Sequence, residues 1–379
     1  MKILVLGNST SHWQRMFVKR VLLPLRHKIY ELADRNATAQ QNWGNENDII
    51  VEPLAVSPLL MKIPKIRAAA ILNSEVEVLS ANEPYDTIIN MFVSNSALFC
   101  ARALKGKHTR LIAYYCGSDI LRLRGFKLFV MKHNIRHVDC IVFASEQVKS
   151  GFIQKCGQPG NICEKVIHLG VSVFDEIDKL RRSGVNCKQI REISDSKVTV
   201  CIGYNGNPSQ QHIAVIEQLS RLSAEEKCKL HLILPMTYSG TESYYQHVEE
   251  RIKEERISYS IFKEYMNDEE MASLHSAVDI FINSQKTDGL SASVMEAMYA
   301  GAVLLNASWL DYPEYKDWGL LYETYKNFEE LPDLIRKVIH GESQVDKLEN
   351  HEILKSKMSW DSTKNAWEQL LKDVAKGNN

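Results

Sequence analysis

The chain has 379 residues, of which 45% are hydrophobic and 25% charged, which is enough for two ordinary globular domains. Its formal net charge of −1 gives no reason to expect nucleic acid as a partner. The eight cysteines show neither CxxC nor paired zinc spacing, which favours a reducing cytoplasm over a disulfide scaffold. No apolar run approaches the roughly 20 residues needed to span a bilayer.

Charge is distributed unevenly along the chain. Residues 1–170 carry 22 lysines and arginines against 13 acids, whereas residues 171–379 carry 24 against 34. This asymmetry predicts two domains with different partners.

The first half alternates short apolar runs with helical stretches. The N-terminal run is too short for a signal peptide and is predicted as a strand. One long helix is predicted over 11–35, with a break near Pro24. The predicted strands are 2–7, 48–51, 86–92, 110–115, 139–145 and 164–170. This alternation is typical of a parallel sheet covered by helices.

The second half repeats the alternation after a polar segment, 171–196, that we interpret as an interdomain link. Its predicted strands are 197–207, 229–236, 257–262, 278–283 and 302–306. A last helix is predicted over 359–376. We therefore expect an N-terminal domain at 1–172, closed by that last helix, and a C-terminal domain at 197–358.

Two doubly wound domains that face each other enclose a cleft, and ligands bind outside the carboxyl ends of parallel strands. Four loops follow predicted strands on that side. They are 7–13, 116–120, 203–212 and 284–291.

The most informative stretch is "TDGLSASVMEAMYAG" (287–301), which predicts a turn followed by a helix that ends at Gly301. A helix capped near Ser291 directs unpaired N–H groups at a phosphate, and Gly289 permits close approach. Asp288 is placed to accept a bond from a sugar hydroxyl and Glu296 from a ribose. Acid spacing alone is a weak signal, but together these features indicate a nucleotide sugar.

Here the sequence resembles a known family. The stretch "DGLSASVMEAMYAGAVLL" is similar to the acid-x7-Glu signature of retaining glycosyltransferases of the GT-B fold, most like glycosyltransferase family 4. The segments 266–284, 167–172, 114–152 and 359–367 resemble further family segments in the same order. The resemblance implies an α/β GT-B architecture, with two doubly wound, Rossmann-like domains facing a central cleft.

The resemblance also implies roles for individual positions. Glu296 would bind the ribose, and Asp288 would stand near the donor sugar, where the family usually has Glu. The backbone amides of Leu290 and Ser291 would bind the diphosphate. The loop Gly7–His12, including Asn8, would line the cleft from the N-terminal domain.

Two positions depart from the family pattern. Cys116 replaces a histidine that the family places near the reacting sugar. The loop 203–212 lacks the usual Arg and Lys, and leaves Asn205, Gln210 and His212 as polar candidates. Because preorganised charge is usually a large catalytic contribution, the loss of two cations should weaken leaving-group stabilisation. We expect Lys286 to compensate in part.

Three residues carry two interpretations each. His12 contacts a substrate, or it is a capping or solvent-exposed histidine. Asp119 is an acceptor-side base, or it is the N-cap of the next helix, which is the favoured interpretation. Cys116 has no identifiable histidine partner, which favours a buried structural thiol over a nucleophile.

Two basic segments, 59–72 and 120–137, have apolar residues interleaved with cations. A basic amphipathic helix can lie on anionic lipid, although a solvated face on a core helix has the same pattern. A lipid-carried acceptor would bring the N-terminal domain to such a surface.

The sequence therefore predicts a cytoplasmic, metal-independent glycosyltransferase of hexosyltransferase type that needs no cofactor. A narrower form of this prediction places the protein at the inner face of the cytoplasmic membrane. Its donor would be a nucleoside-diphosphate sugar bound by the C-terminal domain. Its acceptor, bound by the N-terminal domain, would be a glycan or lipid-linked oligosaccharide of bacterial surface polysaccharide synthesis. The alternatives are a nucleotide-sugar epimerase or phosphorylase on the same fold, and a non-catalytic sugar-nucleotide-binding or scaffold protein.

Overall fold

The structure is a computed structural model that describes residues 1–7, 11–34, 49–54, 85–93 and 108–376. The chain divides into two compact units. Unit 1 comprises Met1–Gly170 and Trp360–Asn379, and unit 2 comprises Val171–Ser359.

Each unit is built on one parallel β-sheet. The strands of unit 1 are β1 (Lys2–Leu6), β2 (Lys28–Asp34), β3 (Ile49–Leu54), β4 (Tyr85–Met91), β5 (His108–Tyr115), β6 (Cys140–Phe143) and β7 (Cys163–Val166). The strands of unit 2 are β8 (Val198–Ile202), β9 (Leu230–Pro235), β10 (Ser258–Phe262), β11 (Ile280–Asn283), β12 (Val303–Ala307) and β13 (Glu323–Tyr325). All described strand pairs run parallel, as the predicted alternation requires.

Helices connect the strands. In chain order they are α1 (His12–Phe17), α2 (Ser118–Leu121), α3 (Gly125–Asn134), α4 (Glu146–Cys156), α5 (Val173–Ser183), α6 (Cys187–Ile190), α7 (His212–Leu219), α8 (Ala224–Cys228), α9 (Glu242–Glu255), α10 (Asp268–Ser276), α11 (Ala292–Ala300), α12 (Pro313–Trp318), α13 (Leu331–Ile339), α14 (Lys347–Met358) and α15 (Trp360–Lys376). A π-helical turn (Val18–Leu22) and three 3₁₀ turns (Ile135–His137, Pro208–Gln210 and Phe328–Glu330) complete the described set.

In unit 1 the side chains of β1 alternate between two cores on the two faces of the sheet. Ile3 and Val5 pack with the core that contains Phe17 and Trp367, whereas the intervening residues pack on the opposite face. The Trp367 ring lies 4.8 Å from that of Phe17 and 5.3 Å from that of Tyr114, both edge-on. These aromatic contacts attach α15 to the sheet of unit 1.

The long helix predicted over 11–35 is wrong beyond Leu22. Residues Lys28–Asp34 form β2, which pairs with β1 on one side and β3 on the other. The segment "ELAD" has good helix formers, but two parallel neighbours satisfy its backbone on both sides, and tertiary pairing overrides the local preference.

The segment 171–196, predicted as an interdomain link, contributes to unit 2. Its Val171, Phe174 and Ile177 are buried in the core of that unit. The Phe174 ring stacks on Tyr299 of α11 with centroids 3.8 Å apart. Short polar runs between these apolar residues concealed the helical spacing in the sequence.

The sheet of unit 2 has the order β10-β9-β8-β11-β12-β13. The chain builds outward from β8 in one direction, then returns to place β11 on the other side. This is the doubly wound order in which ligands bind where the direction reverses. The loops that follow β8 and β11 therefore leave the same sheet edge side by side.

Gly170 lies where the backbone approaches Trp360. A Cβ at position 170 would lie 2.4 Å from a ring carbon of Trp360 and 2.8 Å from its Cα, which cannot move independently of α15. We expect Gly170→Ala to cost about 1–3 kcal/mol of stability, because overpacking displaces backbone. A drop of several degrees in melting temperature would show it.

Gly151→Ala is the matched control. Its Cβ would also meet a neighbour at 2.4 Å, but that atom is the far end of the Leu121 side chain, which can rotate away. Gly151 lies within α4, where alanine is intrinsically favoured. Equal melting temperatures for the two variants would contradict the proposed backbone clash.

Candidate functional site

Asp288 lies in the loop between β11 and α11, at the reversal of strand order. Its Oδ1 accepts a hydrogen bond from the Tyr204 hydroxyl at 3.0 Å, and its Oδ2 accepts one from the Tyr312 hydroxyl at 2.8 Å. Burial raises the pKa of Asp288, while bonds from Tyr312, Tyr204 and the Gly289 amide oppose that rise. Neutral donors thus enclose the carboxylate predicted to meet the donor sugar.

Glu296 lies in the second turn of α11 and is 7% exposed. Its Oε2 is 3.1 Å from Nε2 of His275, which lies on α10 and is 1% exposed. The carboxylate predicted to bind ribose is therefore already in contact with a histidine that the sequence did not reveal. The only available signal was the position of His275 on the apolar side of α10, beside buried Leu274.

The helix that carries Glu296 ends at the predicted glycine but lacks the predicted serine capping bond. Gly301 ends α11 in the left-handed conformation at φ 108°, which confirms the predicted glycine stop. Ser291 occupies the N-cap position but makes no side-chain capping bond, so the predicted serine cap is wrong in that respect. The residues Gly289, Leu290 and Ser291 lead directly into the first turn of α11.

The loop after β8 is organised by its own polar side chains. Asn205 is 7% exposed, and its Oδ1 accepts from the amide of Asn207 at 2.9 Å. Gly203 adopts φ 66°, and a Cβ there would lie 2.7 Å from Oε1 of Gln210. The side-chain oxygen of Asn205 thus organises the loop, and its Nδ2 is the group of this polar candidate that could donate to a diphosphate.

His212 begins α7 and is fully buried. Its Nδ1 lies 3.1 Å from the Tyr244 hydroxyl, and burial lowers the pKa of His212 to about 4. The imidazole is therefore neutral at physiological pH and does not replace the missing cations. Lys286, which was predicted to compensate in part for the missing cations, is exposed, and its backbone N–H donates to the Ser209 carbonyl at 3.0 Å.

Gln285 joins the loops that follow three neighbouring strands. Its Nε2 donates to the Tyr204 hydroxyl at 2.7 Å, and its Oε1 accepts from Gln210. Its carbonyl accepts from the Trp309 indole at 2.9 Å. Sequence reasoning missed this network, although its members stand next to strand ends.

In unit 1 the loop after β1 passes close to neighbouring backbone. A Cβ on Gly7 would lie 2.7 Å from the Met91 carbonyl oxygen, so any side chain at this position would clash. Asn8 lies outside the described residues. His12 is the first residue of α1, but its side chain is not among those described.

A buried acid lies beneath this loop. Glu31 on β2 is fully buried, and its Oε1 accepts from Nε2 of Gln14 at 2.8 Å. Burial raises the pKa of Glu31 to about 7, opposed in part by the Gln14 hydrogen bond. The sequence prediction had placed this residue in a helix and so did not single it out.

Asp119 organises the loop after β5. Its carboxylate accepts from the amides of Gly117 at 2.7 Å, Val93 at 3.0 Å and Cys116 at 3.1 Å. The N-cap of α2 is Gly117, so Asp119 acts from inside the first turn rather than from the predicted cap position. Burial raises the pKa of the Cys116 thiol well above its usual value, as expected of a structural cysteine.

Two further features concern metals and membranes. Among the described residues, no group of three or more His, Cys, Asp or Glu side chains is arranged to hold a metal ion. None of the helices in the described segments is both long and apolar enough to cross a bilayer.

No known protein-family model matches the sequence, and no curated protein matches it. Solved structures do resemble it. Anabaena HepE in complex with UDP-glucose is 17% identical, with a TM-score of 0.64, over 98% of this chain and 100% of that chain. Sucrose-phosphate synthase from Thermosynechococcus elongatus is 11% identical, with a TM-score of 0.69, over 100% of both chains.

A third similar structure is the UDP-forming α,α-trehalose-phosphate synthase of Burkholderia vietnamiensis. It is 13% identical, with a TM-score of 0.67, over 99% of this chain and 98% of that chain. At 11–17% sequence identity, these similarities are evidence for a shared fold. The chain has the two-domain, Rossmann-like GT-B fold of glycosyltransferases, which confirms the predicted fold class.

The neutral state of His212 makes stability depend on pH. The unfolded chain, with an ordinary histidine pKa of 6.5, binds more protons than the folded chain, in which the pKa is about 4. The contribution of His212 to the stability of unit 2 is therefore fully present above pH 6.5 and falls as the pH drops toward 4. Between pH 7.5 and 4.5 this residue should account for roughly 2–3 kcal/mol of the loss.

Urea unfolding of wild type and His212→Gln at these two pH values measures this contribution. The variant should lose less stability on acidification, because glutamine does not titrate. His340→Gln, a change at an exposed histidine of the same unit, should retain the wild-type pH dependence. An equal loss in wild type and His212→Gln would show that His212 is not held neutral.

Proposed function

We propose that the protein is a glycosyltransferase that moves a hexose-type sugar from a nucleoside-diphosphate sugar to an acceptor, with retention of configuration as in family 4. The observation that carries the proposal is the position of Asp288 at the reversal point of unit 2, with Glu296 on the following helix. A glycosyltransferase fold also seen in HepE with UDP-glucose supports it. The donor is bound by unit 2.

Within the donor site, Glu296 binds the ribose and Asp288 the sugar. The N-terminal turn of α11, with the amides of Leu290 and Ser291, binds the diphosphate, because unpaired N–H groups favour an anion there. Lys286 adds one positive charge. This arrangement needs neither a cofactor nor a metal ion to neutralise the diphosphate.

The acceptor is bound by unit 1 and is a glycan or lipid-linked oligosaccharide of bacterial surface polysaccharide synthesis. The loop Gly7–His12 is the proposed contact, and His12 is its catalytic candidate. Asp119 supports this side by holding the neighbouring loop, since backbone amides occupy its carboxylate.

We also propose that unit 1 rests on the inner face of the cytoplasmic membrane. The segment 120–137 forms several short helical pieces rather than one predicted helix. On α3 the side chains of Phe126 and Phe129 are 72% and 67% exposed, with rings 6.4 Å apart. Five exposed cations lie close to them in the sequence: Arg122, Arg124, Lys127, Lys132 and Arg136. The other basic segment, 59–72, lies outside the described residues.

A thermal-shift panel with UDP, GDP, ADP, dTDP and CMP, each with and without EDTA, tests the donor site. A ligand at a hundred times its Kd stabilises the fold by about 2.7 kcal/mol. We expect one nucleoside diphosphate to raise the melting temperature equally with and without EDTA. A shift abolished by EDTA would contradict metal-independent binding, and no shift with any nucleotide would contradict the donor site.

Glu296→Ala should reduce the shift caused by that nucleotide to near zero, because the ribose loses its acceptor. The unliganded variant will itself be less stable, since truncation of the buried Glu296 side chain leaves a cavity beside His275. The ligand-induced shift, not the absolute melting temperature, is therefore the quantity to compare. Glu296→Gln keeps a hydrogen-bonding group and should retain part of the shift. An undiminished shift in both variants would remove Glu296 from the ribose site.

Sedimentation with anionic phosphatidylglycerol vesicles tests the membrane proposal. Reversing Arg122, Arg124 and Lys127 to Glu should weaken binding by roughly a hundredfold or more, at about 1 kcal/mol per cation. Phe126→Ser with Phe129→Ser should also weaken binding, since less apolar surface enters the interface. Tyr265→Ser, at an 83% exposed aromatic residue of unit 2, should leave binding unchanged. Wild-type binding by both sets of variants would refute a membrane role for this surface.

A further inference from the structure

The carboxylate of Asp288 is held by a tyrosine on each oxygen. Tyr204 reaches Oδ1 from the loop after β8, and Tyr312 reaches Oδ2 from the N-cap position of α12. The two tyrosines are 84 and 24 residues away from Asp288 in the chain. Two separate connections of the fold therefore converge on one acid.

Each phenol is in turn held by a side-chain amide. Gln285 Nε2 donates to the Tyr204 oxygen at 2.7 Å, and Asn283 Nδ2 donates to the Tyr312 oxygen at 2.9 Å. Asn283 also donates to Oδ1 of Asn306 at 3.0 Å, and Asn306 donates onward to the Leu310 carbonyl at 2.9 Å. These onward contacts fix which end of each asparagine amide is the donor.

These contacts form two arms, Gln285–Tyr204–Asp288 and Asn283–Tyr312–Asp288, and the direction of each hydrogen bond in them can be assigned. An amide N–H₂ can only donate and an ionised carboxylate can only accept, so each phenol accepts from its amide and turns its own proton to Asp288. Hydrogen bonds arranged in series in this way polarise and strengthen one another. Both arms end on the same anion, and both favour its charged form over its protonated form.

We propose that Tyr204 and Tyr312 are positioning residues that hold the Asp288 carboxylate ionised and in one orientation, so that it accepts a hydroxyl of the donor sugar. The inference rests on the proposed function, because it places the sugar at Asp288. It deepens that function by separating the sugar subsite, which depends on the two phenols, from the diphosphate subsite, which does not. Neither tyrosine belongs to the acid-x7-Glu pattern.

The first experiment requires no ligand. Tyr312→Phe and Tyr204→Phe each remove one hydroxyl and keep the ring, so each should raise the pKa of Asp288 further. The folded variants then lose stability relative to wild type as the pH rises through that pKa. We expect the difference in melting temperature between wild type and each variant to be smallest near pH 4 and to widen by pH 7.

The Asp288→Asn background isolates this effect from other groups that titrate. Among the described groups, Tyr204 and Tyr312 donate to Asp288 and Tyr315 lies within the influence of its charge; burial raises the pKa of all three tyrosines, so they remain neutral in this range. The charged residues nearest in the chain are Lys286 in the loop of Asp288, and Asp311, buried Glu314 and Lys316 in the segment that carries Tyr312 and Tyr315. In the Asp288→Asn protein, Tyr312→Phe should lower the melting temperature by the same amount at every pH. A difference independent of pH with Asp288 intact would overturn the inference.

The second experiment compares each diphosphate with its sugar nucleotide by titration calorimetry. The pairs are UDP with UDP-glucose, GDP with GDP-mannose, ADP with ADP-glucose, and dTDP with dTDP-glucose. In Tyr204→Phe and Tyr312→Phe, we expect the Kd of the diphosphate to stay within twofold of wild type and that of the sugar nucleotide to rise at least fivefold. Tyr259→Phe, which removes a phenol that donates to Glu249 on the edge strand β10 of the same sheet, should change neither.

The possible failures can be told apart. If wild type binds none of these nucleotides, the proposed function fails, whatever the pH experiment shows. If wild type binds them but the tyrosine variants bind the sugar nucleotide as tightly as wild type does, the proposed function survives and this inference fails. Equal losses for diphosphate and sugar nucleotide would also overturn it, because the phenols would then support the whole site rather than the sugar subsite.

Discussion

The reversal of strand order between β8 and β11 is the constraint on which the candidate site depends. Connections between parallel strands begin at the carboxyl edge of the sheet, and where the winding direction changes, two of them diverge from adjacent strands. In unit 2 this brings the Tyr204 hydroxyl within 3.0 Å of Asp288 Oδ1, although the two residues are 84 positions apart in the chain. The next strand supplies Tyr312 from its own connection. The residues that enclose Asp288 were thus assembled by topology.

Each oxygen of the Asp288 carboxylate accepts a hydrogen bond from a neutral phenol. Burial of a carboxylate is costly unless hydrogen bonds replace the lost water, and phenols do this for Asp288. A lysine or arginine in the same place would stabilise the anion but would also neutralise its negative charge. A phenol stabilises the anion and leaves a net negative charge that attracts hydroxyl donors. In the proposed function, the diphosphate then depends on backbone N–H groups and on Lys286 for its own stabilisation.

The local structure could be predicted from the sequence wherever one short segment contains all the residues that determine it. The stretch from Asp288 to Gly301 carries its turn, its helix and its glycine stop within one window, and the structure places all three as expected apart from the serine cap. The sequence was insufficient where distant segments decide. β2 was assigned to a helix because its composition is helical, whereas two neighbouring strands determine its conformation. His275 could not be connected with Glu296, since a lone histidine on a helix has no distinguishing pattern.

The resemblance places glutamate at the position that Asp288 occupies, and the difference has a physical consequence. An aspartate side chain has one fewer rotatable bond, so less conformational entropy is lost when its carboxylate is fixed. It also keeps the carboxylate closer to the backbone, within reach of hydroxyls from the connections after β8 and β12. The shorter acid is therefore more easily held in place, but it extends less far from the loop. A sugar that bonds to it must approach the loop closely, and Gly289, the exposed residue that follows, adds no side chain to obstruct that approach.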